Sequence, residues 1–161
     1  DQRRIFLQEN YIGYAPSKKR YFCGIKVHMV VTKDGKPVEF QFRPGSESDL
    51  NVLWQLELDI PANAKLFADG AYNCFELEDI FFDQGIQFYP KRGSNSRNRK
   101  RSDIEEKEIS SKRQIVETAF SCITDLFPRN LRFCTEKGFL VKVHCSILAY
   151  SMSFLCDNIL N

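Results

Sequence analysis

Two acidic residues, Asp69 and Glu117, stand where carboxylates could bind a divalent metal ion. Asp69 follows the apolar run Leu66-Phe67-Ala68 and precedes Gly70, a pattern typical of the end of a strand. In open α/β sheets, ligands and catalytic groups collect at such strand ends. Glu117 lies within residues 112–120, whose apolar residues recur with the period of an amphipathic helix. Our hypothesis is that the two carboxylates hold metal at a site that cuts nucleic acid.

A basic segment lies between the two acids. Residues 91–101 contain six lysines and arginines and no acidic residue, whereas the whole chain has a net charge of only +2. A local basic patch indicates polyanion binding better than the total charge does. Phosphate contacts from this segment would add salt-dependent affinity for nucleic acid. The combination of acids and basic segment therefore favours phosphodiester chemistry.

Each feature also has a plainer interpretation. Asp69 and Gly70 could simply form a turn, which both residue types favour. Glu117 could form a solvated i,i+4 salt bridge with Arg113, worth about 0.2–0.5 kcal/mol. The basic segment could be a solvated loop.

The surrounding pattern predicts the elements that hold these residues. Residues 21–32 and 38–42 read as two strands joined by a hairpin turn at Asp34-Gly35. Further strands are predicted at 65–69 and 86–89, and helices at about 49–58, 74–84, 111–126 and 139–156. Residues 90–107 are predicted to be a mobile basic loop. This order indicates one domain in which helices flank a mixed sheet.

On the first long strand, Lys26 and His28 alternate with apolar residues and so share one face. Both could point toward a DNA groove, although a lone histidine more often forms a local hydrogen bond. The six cysteines form no Cys-x-x-Cys pair and only two histidines occur, which disfavours a structural zinc site. Residues 143–156 are too short and too polar for a membrane span and are predicted to be a buried core helix.

Six short motifs occur along the chain in a fixed order. They are SKKRYFxGxKxH at 17–28, PGSxSD at 44–49, ADGAYN at 68–73, PKR at 90–92, RxxxExxF at 113–120 and KGFxxK at 137–142. Together they resemble the catalytic domain of bacterial insertion-sequence transposases of the DDE class. The resemblance covers nearly the whole chain.

The resemblance implies an α/β, ribonuclease H-like fold, a mixed sheet flanked by helices that could lack its first strand. It implies cleavage and transfer of DNA strands with Mg²⁺ or Mn²⁺, acting on element ends and target DNA. Asp69 would be the second catalytic, metal-binding acid and Glu117 the third. The residues that would contact DNA or orient the acids are Lys26, His28, Lys91, Arg92 and Arg113. A homodimer in the full-length protein and a bacterial cytoplasmic location at the nucleoid would follow, with no membrane partner.

The sequence departs from the family pattern in two places. The first aspartate of the acid triad has no matching motif and is expected upstream of Asp1, so residues 1–161 are expected to be a truncated catalytic domain, inactive or nearly so alone. Ser110 and Thr124 stand where relatives often carry a tyrosine and a lysine. The alternative is a truncated or domesticated transposase-derived domain that binds nucleic acid without catalysis.

Overall fold

A computed structural model describes residues 6, 9–56, 58–93, 99, 101–128, 132 and 134–160. The chain divides into two units. A terminal unit comprises Asp1–Glu47 and Val116–Asn161, and a central unit comprises Ser48–Ile115. Each unit is described by itself below.

The described elements are those of a mixed α/β protein. In chain order they are β1 (Ile12–Ala15), β2 (Arg20–Cys23), β3 (Ile25–Val31), β4 (Pro37–Pro44), α1 (Asp49–Gln55), β5 (Lys65–Ala68), α2 (Phe75–Asp83), β6 (Gln87–Pro90), α3 (Asp103–Asp125) and α4 (Glu136–Leu160). The apolar run Ile5-Phe6-Leu7 could also form a short strand by its sequence, but of these residues the structure describes Phe6 alone, which is not in a strand.

Among the described residues the strands form three two-stranded sheets, and the single mixed sheet that the sequence predicted is not confirmed. The pairs β1–β2 and β3–β4 are antiparallel, and β5–β6 is parallel. The predicted strand at 21–32 is divided at Gly24, because its two halves pair with different partners. The Gly24 N–H donates to the Tyr11 carbonyl at 2.9 Å, and the Gly24 carbonyl accepts from Gly45 at 2.9 Å. Within the described part of the chain, a continuous mixed sheet is therefore not observed.

The predicted hairpin between β3 and β4 is confirmed. The Gly35 N–H donates to the Thr32 carbonyl at 2.9 Å, and the Thr32 N–H donates to the Lys36 carbonyl at 2.8 Å. Gly35 has a φ of +88°, a conformation that glycine adopts readily. The turn chemistry in the sequence was sufficient to place this loop.

Two glycines of the terminal unit allow chain segments to cross closely. A Cβ on Gly45 would lie 2.5 Å from the Tyr11 carbonyl oxygen and 2.9 Å from that of Gly24, and a Cβ on Gly13 would collide with the backbone of Gly45. All these opposing atoms are backbone, so they cannot rotate away. The crossing explains why only glycine fits at residue 45 after the end of β4.

We therefore expect Gly45→Ala to lower the free energy of unfolding by about 1–3 kcal/mol, the usual cost of forcing an extra carbon into packed structure. Urea denaturation followed by circular dichroism would measure the change. Gly93→Ala is the matched control, since a Cβ there meets nothing within 4 Å. Equal stability of the two variants would contradict the close crossing.

The core of the central unit fixes the position of β5 and of the turn after it. Its buried apolar side chains come from α1, α2, β6 and the residue before β6, namely Leu53, Leu77, Phe81, Ile86 and Phe88. Leu66 and Ala68 of β5 pack against this cluster. The carboxyl end of β5 is therefore held against a packed core.

Helix α3 begins at Asp103, earlier than the predicted residue 111. Ser102 and Glu105 form a capping box, in which the Ser102 N–H donates to Glu105 Oε2 at 2.8 Å and the Glu105 N–H donates to Ser102 Oγ at 3.3 Å. The Ser102 hydroxyl also donates to Glu105 Oε2, at 2.9 Å, and the two hydrogen bonds that the carboxylate accepts from Ser102 lower the pKa of Glu105. Residues 103–107 are thus helical and not part of a loop, while 94–98 and 100 lie outside the described residues.

Helix α4 is largely exposed, so the prediction of a buried core helix was wrong. Val143 and Ile147 are buried beside Ile123, but four apolar side chains on α4 are at least half exposed: Val141, Leu148, Met152 and Leu155. The helix is also longer than predicted. By length and composition alone, Glu136–Cys156 meets the requirement for a membrane span, a test that helices of water-soluble proteins also pass.

Candidate functional site

Asp69 lies directly after β5, at the carboxyl end of the parallel β5–β6 pair. Ala68 is in register with Pro90 of β6, and the next N–H, that of Lys91, donates to the Ala68 carbonyl at 2.9 Å. The predicted placement of this acid at a strand end is therefore confirmed. Its carboxylate is exposed to solvent.

The two oxygens of Asp69 have different surroundings. Oδ1 accepts a hydrogen bond from the Gly70 N–H at 2.6 Å and caps the short 3₁₀ turn Gly70–Tyr72. Oδ2 lies 3.7 Å from Nη2 of Arg113. The plainer interpretation, that Asp69 supports a turn, thus describes one oxygen, and the other faces a cation on α3.

The contact between Arg113 and Asp69 is a solvent-accessible ion pair. The two side chains are 42% and 48% exposed. Pairs of this kind contribute at most about 1 kcal/mol and exchange readily with other partners. Arg113 can therefore orient the Asp69 carboxylate without preventing it from binding a metal ion.

The Tyr72 phenol is partly buried and lies near two carboxylates of the central unit. Burial raises the pKa of its phenol, and the negative charges of Asp49 and Asp69 raise it further. Asp49 is the first residue of α1, as the sequence predicted for a residue at a helix N-terminus. Asp49 and Asp69 therefore lie close enough to Tyr72 to act on its phenol.

Glu117 is exposed on α3, one helical turn after Arg113. The amphipathic character predicted for this helix is confirmed, because Ala119 and Ile123 are buried. Glu117 belongs to the terminal unit, whereas Asp69 and Arg113 belong to the central unit. The joint site of Asp69 and Glu117 stays a prediction.

Carboxylates are suitable ligands for Mg²⁺ or Mn²⁺, which take oxygen ligands and usually retain several waters or bind substrate phosphates. Within the described ranges, no group of three or more His, Cys, Asp or Glu side chains is arranged to hold a metal ion. The carboxylates of Asp69 and of Glu117 are each of the donor type that such an ion prefers.

The arginines of the basic segment form more ion pairs and hydrogen bonds within the protein than the sequence indicated. Arg92 is buried and forms an ion pair with Glu78 of α2 at 2.5 Å. It also donates a hydrogen bond to Asn73 Oδ1, and its guanidinium lies 4.7 Å from the centre of the Phe75 ring. This side chain therefore connects the end of β6 to α2 and to the turn after Asp69.

Two more arginines of the segment approach the same acid. Arg99 and Arg101 lie 3.5 Å and 3.9 Å from Glu78 Oε2, and Arg99 also pairs with Asp79 at 2.8 Å. Burial and the nearby charge of Arg92 lower the pKa of Arg101. We call Arg92, Arg99, Arg101 and Glu78 the arginine cluster. Glu78 therefore neutralises part of the positive charge that the sequence predicted would contact phosphates.

The other residues that were predicted to contact DNA differ in their exposure and in their hydrogen-bond partners. Lys26 donates from Nζ to the Glu47 carbonyl at 2.7 Å, and His28 is buried in β3, so neither lies on an open polar face. Lys91 is partly exposed, and its N–H donates to the carbonyl of Ala68, the residue before Asp69. The role of all these residues in DNA binding stays a prediction.

The chain was compared with known proteins. A family model described as the transposase DDE domain matches residues 5–152, which is most of the chain. Neither the search of curated proteins nor the search of solved structures found a match. The family match confirms the resemblance to DDE transposases that the ordered motifs indicated.

Proposed function

Because the chain belongs to the family of transposase DDE domains, we propose that it catalyses metal-dependent cleavage and transfer of the DNA strands of an insertion sequence. The observation that carries this proposal is the exposed Asp69 carboxylate at the carboxyl end of β5, with Arg113 beside it. The family supports DNA as the partner. The ribonuclease H-like sheet, the homodimer and the bacterial nucleoid location belong to the same proposal.

In this proposal Asp69 and Glu117 bind Mg²⁺ or Mn²⁺. When bound, the ion would stabilise charge on the phosphate oxygens and make water a better nucleophile. The chain's own contribution is positioning. The Gly70 N–H fixes Oδ1 of Asp69, and Arg113 orients Oδ2.

Two phosphoryl transfers make up the proposed reaction. In the first, the oxygen of water attacks phosphorus at the element end, the P–O3′ bond breaks, and the 3′-oxygen takes up a proton. In the second, this 3′-hydroxyl attacks a phosphodiester of the target DNA, forming a new P–O bond and releasing a target 3′-hydroxyl. In this proposal, Lys91 and Arg113 contact phosphates near Asp69.

Binding of Mn²⁺ to the chain, measured by electron paramagnetic resonance, tests the proposal. Asp69→Ala and Glu117→Ala are each expected to weaken binding at least tenfold, because even the loss of an outer-shell partner costs about 10–100-fold. Glu76→Ala and Asp125→Ala are the controls, since both replace exposed acids on α2 and α3. Unchanged Mn²⁺ affinity in the first two variants would refute the assigned ligands.

A further inference from the structure

The hairpin formed by β1 and β2 has one face that packs and one that does not. Gly13 and Phe22 are opposite each other, and Gly13 lies against the backbone of Gly45. Side chains on neighbouring positions of a strand point to opposite faces. Tyr14 and Tyr21, which are also opposite each other, therefore point away from that packed face.

Tyr14 and Tyr21 form an exposed aromatic pair. Their ring centres are 5.1 Å apart with the planes tilted, and the residues are 49% and 75% exposed. Large aromatic side chains usually bury most of their surface, so an exposed pair in contact is a common feature of binding surfaces. The cross-strand pairing holds the two rings in place.

The turn of this hairpin is strongly basic. Lys18, Lys19 and Arg20 are exposed, and no acidic side chain among the described residues pairs with them. Lys19 has a φ of +48° and its N–H donates to the Pro16 carbonyl at 3.2 Å, which gives the turn a defined backbone. Residues 10–33 contain no acidic residue at all.

We propose that the β1–β2 hairpin is a binding surface for DNA that carries unpaired bases. In this arrangement Lys18, Lys19 and Arg20 contact phosphates, and Tyr14 and Tyr21 stack with a base. A cationic surface with adjacent aromatic rings is the combination used to bind single-stranded nucleic acid. The absence of acidic residues in this segment matches a polyanion and disfavours a basic protein partner.

The inference rests on the proposed function only for the identity of the partner as DNA. It assigns a surface that contains none of the residues proposed to bind metal. Binding to this surface requires no divalent ion, so it can be measured separately from catalysis.

Fluorescence anisotropy in EDTA would test the hairpin with two probes, a labelled oligo-dT of about 20 nucleotides, longer than a typical single binding site, and a duplex of the same length. Tyr14→Ala/Tyr21→Ala is expected to weaken oligo-dT binding by roughly tenfold or more and duplex binding by less than about twofold, because paired bases cannot stack on the rings. Tyr14→Phe/Tyr21→Phe should retain binding to both probes.

A separate prediction concerns the basic turn and the salt dependence of binding to the same two probes. Lys18→Gln/Lys19→Gln/Arg20→Gln is expected to lower the slope of log affinity against log salt by about 2 for the single strand, since each phosphate contact contributes about 0.7. Lys33→Gln/Lys36→Gln, in the β3–β4 turn of the same unit, should leave the slope nearly unchanged. Phe82→Ala, at an exposed phenylalanine on α2, is the aromatic control.

Several results would overturn the proposal. They are an unchanged affinity in the tyrosine-to-alanine pair, an equal loss on both probes, or a wild-type chain that binds neither probe. If the alanine pair unfolds, Tyr14→Leu/Tyr21→Leu replaces it and must lose oligo-dT binding that the phenylalanine pair keeps. Asp69→Ala should bind oligo-dT normally in EDTA, so failure of the metal site and failure of the hairpin are distinguishable.

Discussion

Replacing Arg92 with alanine is expected to lower the stability of the central unit by about 3–5 kcal/mol, which is the cost of removing one partner of a buried ion pair. The Glu78 side chain is only 11% exposed and would lose its closest cation. The Asn73 side chain would lose its donor as well. Arg99 and Arg101 remain near Glu78, so we expect a value toward the lower end of this range.

Urea denaturation followed by the fluorescence of Trp54 would measure this effect. Trp54 is the only tryptophan of the chain and lies in α1 of the central unit. Arg99→Ala is the control, because the Arg99–Asp79 pair is solvent-accessible and should contribute less than about 1 kcal/mol.

A double variant distinguishes two causes of lost stability, namely an unpaired buried charge and lost side-chain packing. Glu78→Leu/Arg92→Leu removes both charges and is expected to be less destabilised than Arg92→Ala, because no unpaired charge is left inside. If Arg92→Ala were as stable as Arg99→Ala and instead bound DNA more weakly, the predicted phosphate contact of Arg92 would be supported and its structural role would be wrong.

Local signals in the sequence were sufficient for several elements. The Asp34-Gly35 turn, the short strand before Asp69 and the helix at residues 75–83 were all predicted, because each depends on turn chemistry or on the spacing of neighbouring apolar residues. The start of α3 had a local signal too. The pattern Ser102-x-x-Glu105 is a capping box, which marks the helix start directly after a basic, polar segment whose composition favours a loop.

Other features depend on partners distant in the chain and could not be predicted from composition. The division of the long strand at Gly24 follows from its contacts with Tyr11 and Gly45, both remote in sequence. The burial of Arg92 depends on Glu78, one of several acids on α2. Hydropathy alone could not tell that four apolar side chains of α4, those of Val141, Leu148, Met152 and Leu155, remain exposed.

The placement of Asp69 at the end of a strand was predictable from the sequence, but its contact with Arg113 was not. An apolar run followed by Asp-Gly indicates an acid at a strand end, which the structure confirms. The contact with Arg113 brings a residue from α3 to this acid, and nothing in the spacing of the two residues indicates it. In the sequence, only the basic segment between them and the family motifs indicate a joint role for Asp69 and Glu117, and that role stays a prediction.

Asp69→Asn and Glu117→Gln are each expected to reduce metal-dependent DNA strand cleavage on the order of 1,000-fold. Both changes keep the shape of the side chain but remove the negative charge that would hold the ion. Metal ions supply several kcal/mol of transition-state stabilisation, and each 1.4 kcal/mol corresponds to a factor of ten in rate. Cleavage of an end-labelled duplex in Mg²⁺ or Mn²⁺ would measure the loss. The substitutions are introduced into a form of the protein whose own cleavage activity is measurable.

The matched controls test whether the loss arises from the charge at these two positions. Glu76→Gln removes an exposed acid from α2 and should leave the rate within about twofold, as is usual for surface substitutions. DNA affinity in EDTA should not fall in any of the three variants, since each substitution removes a negative charge that would repel phosphates. A loss of DNA affinity that matches the loss of rate would assign the acids to binding rather than to catalysis.

The two acids can also be separated from each other. In Asp69→Asn the amide oxygen of the new side chain could still accept the Gly70 N–H, so the turn is expected to persist in this variant. If Asp69→Asn cleaved DNA normally while Glu117→Gln did not, Asp69 would support the turn and nothing more. The exposed carboxylate on which the proposed function rests would then have to be that of another acidic residue. If both variants cleaved normally, neither acid would belong to the catalytic site.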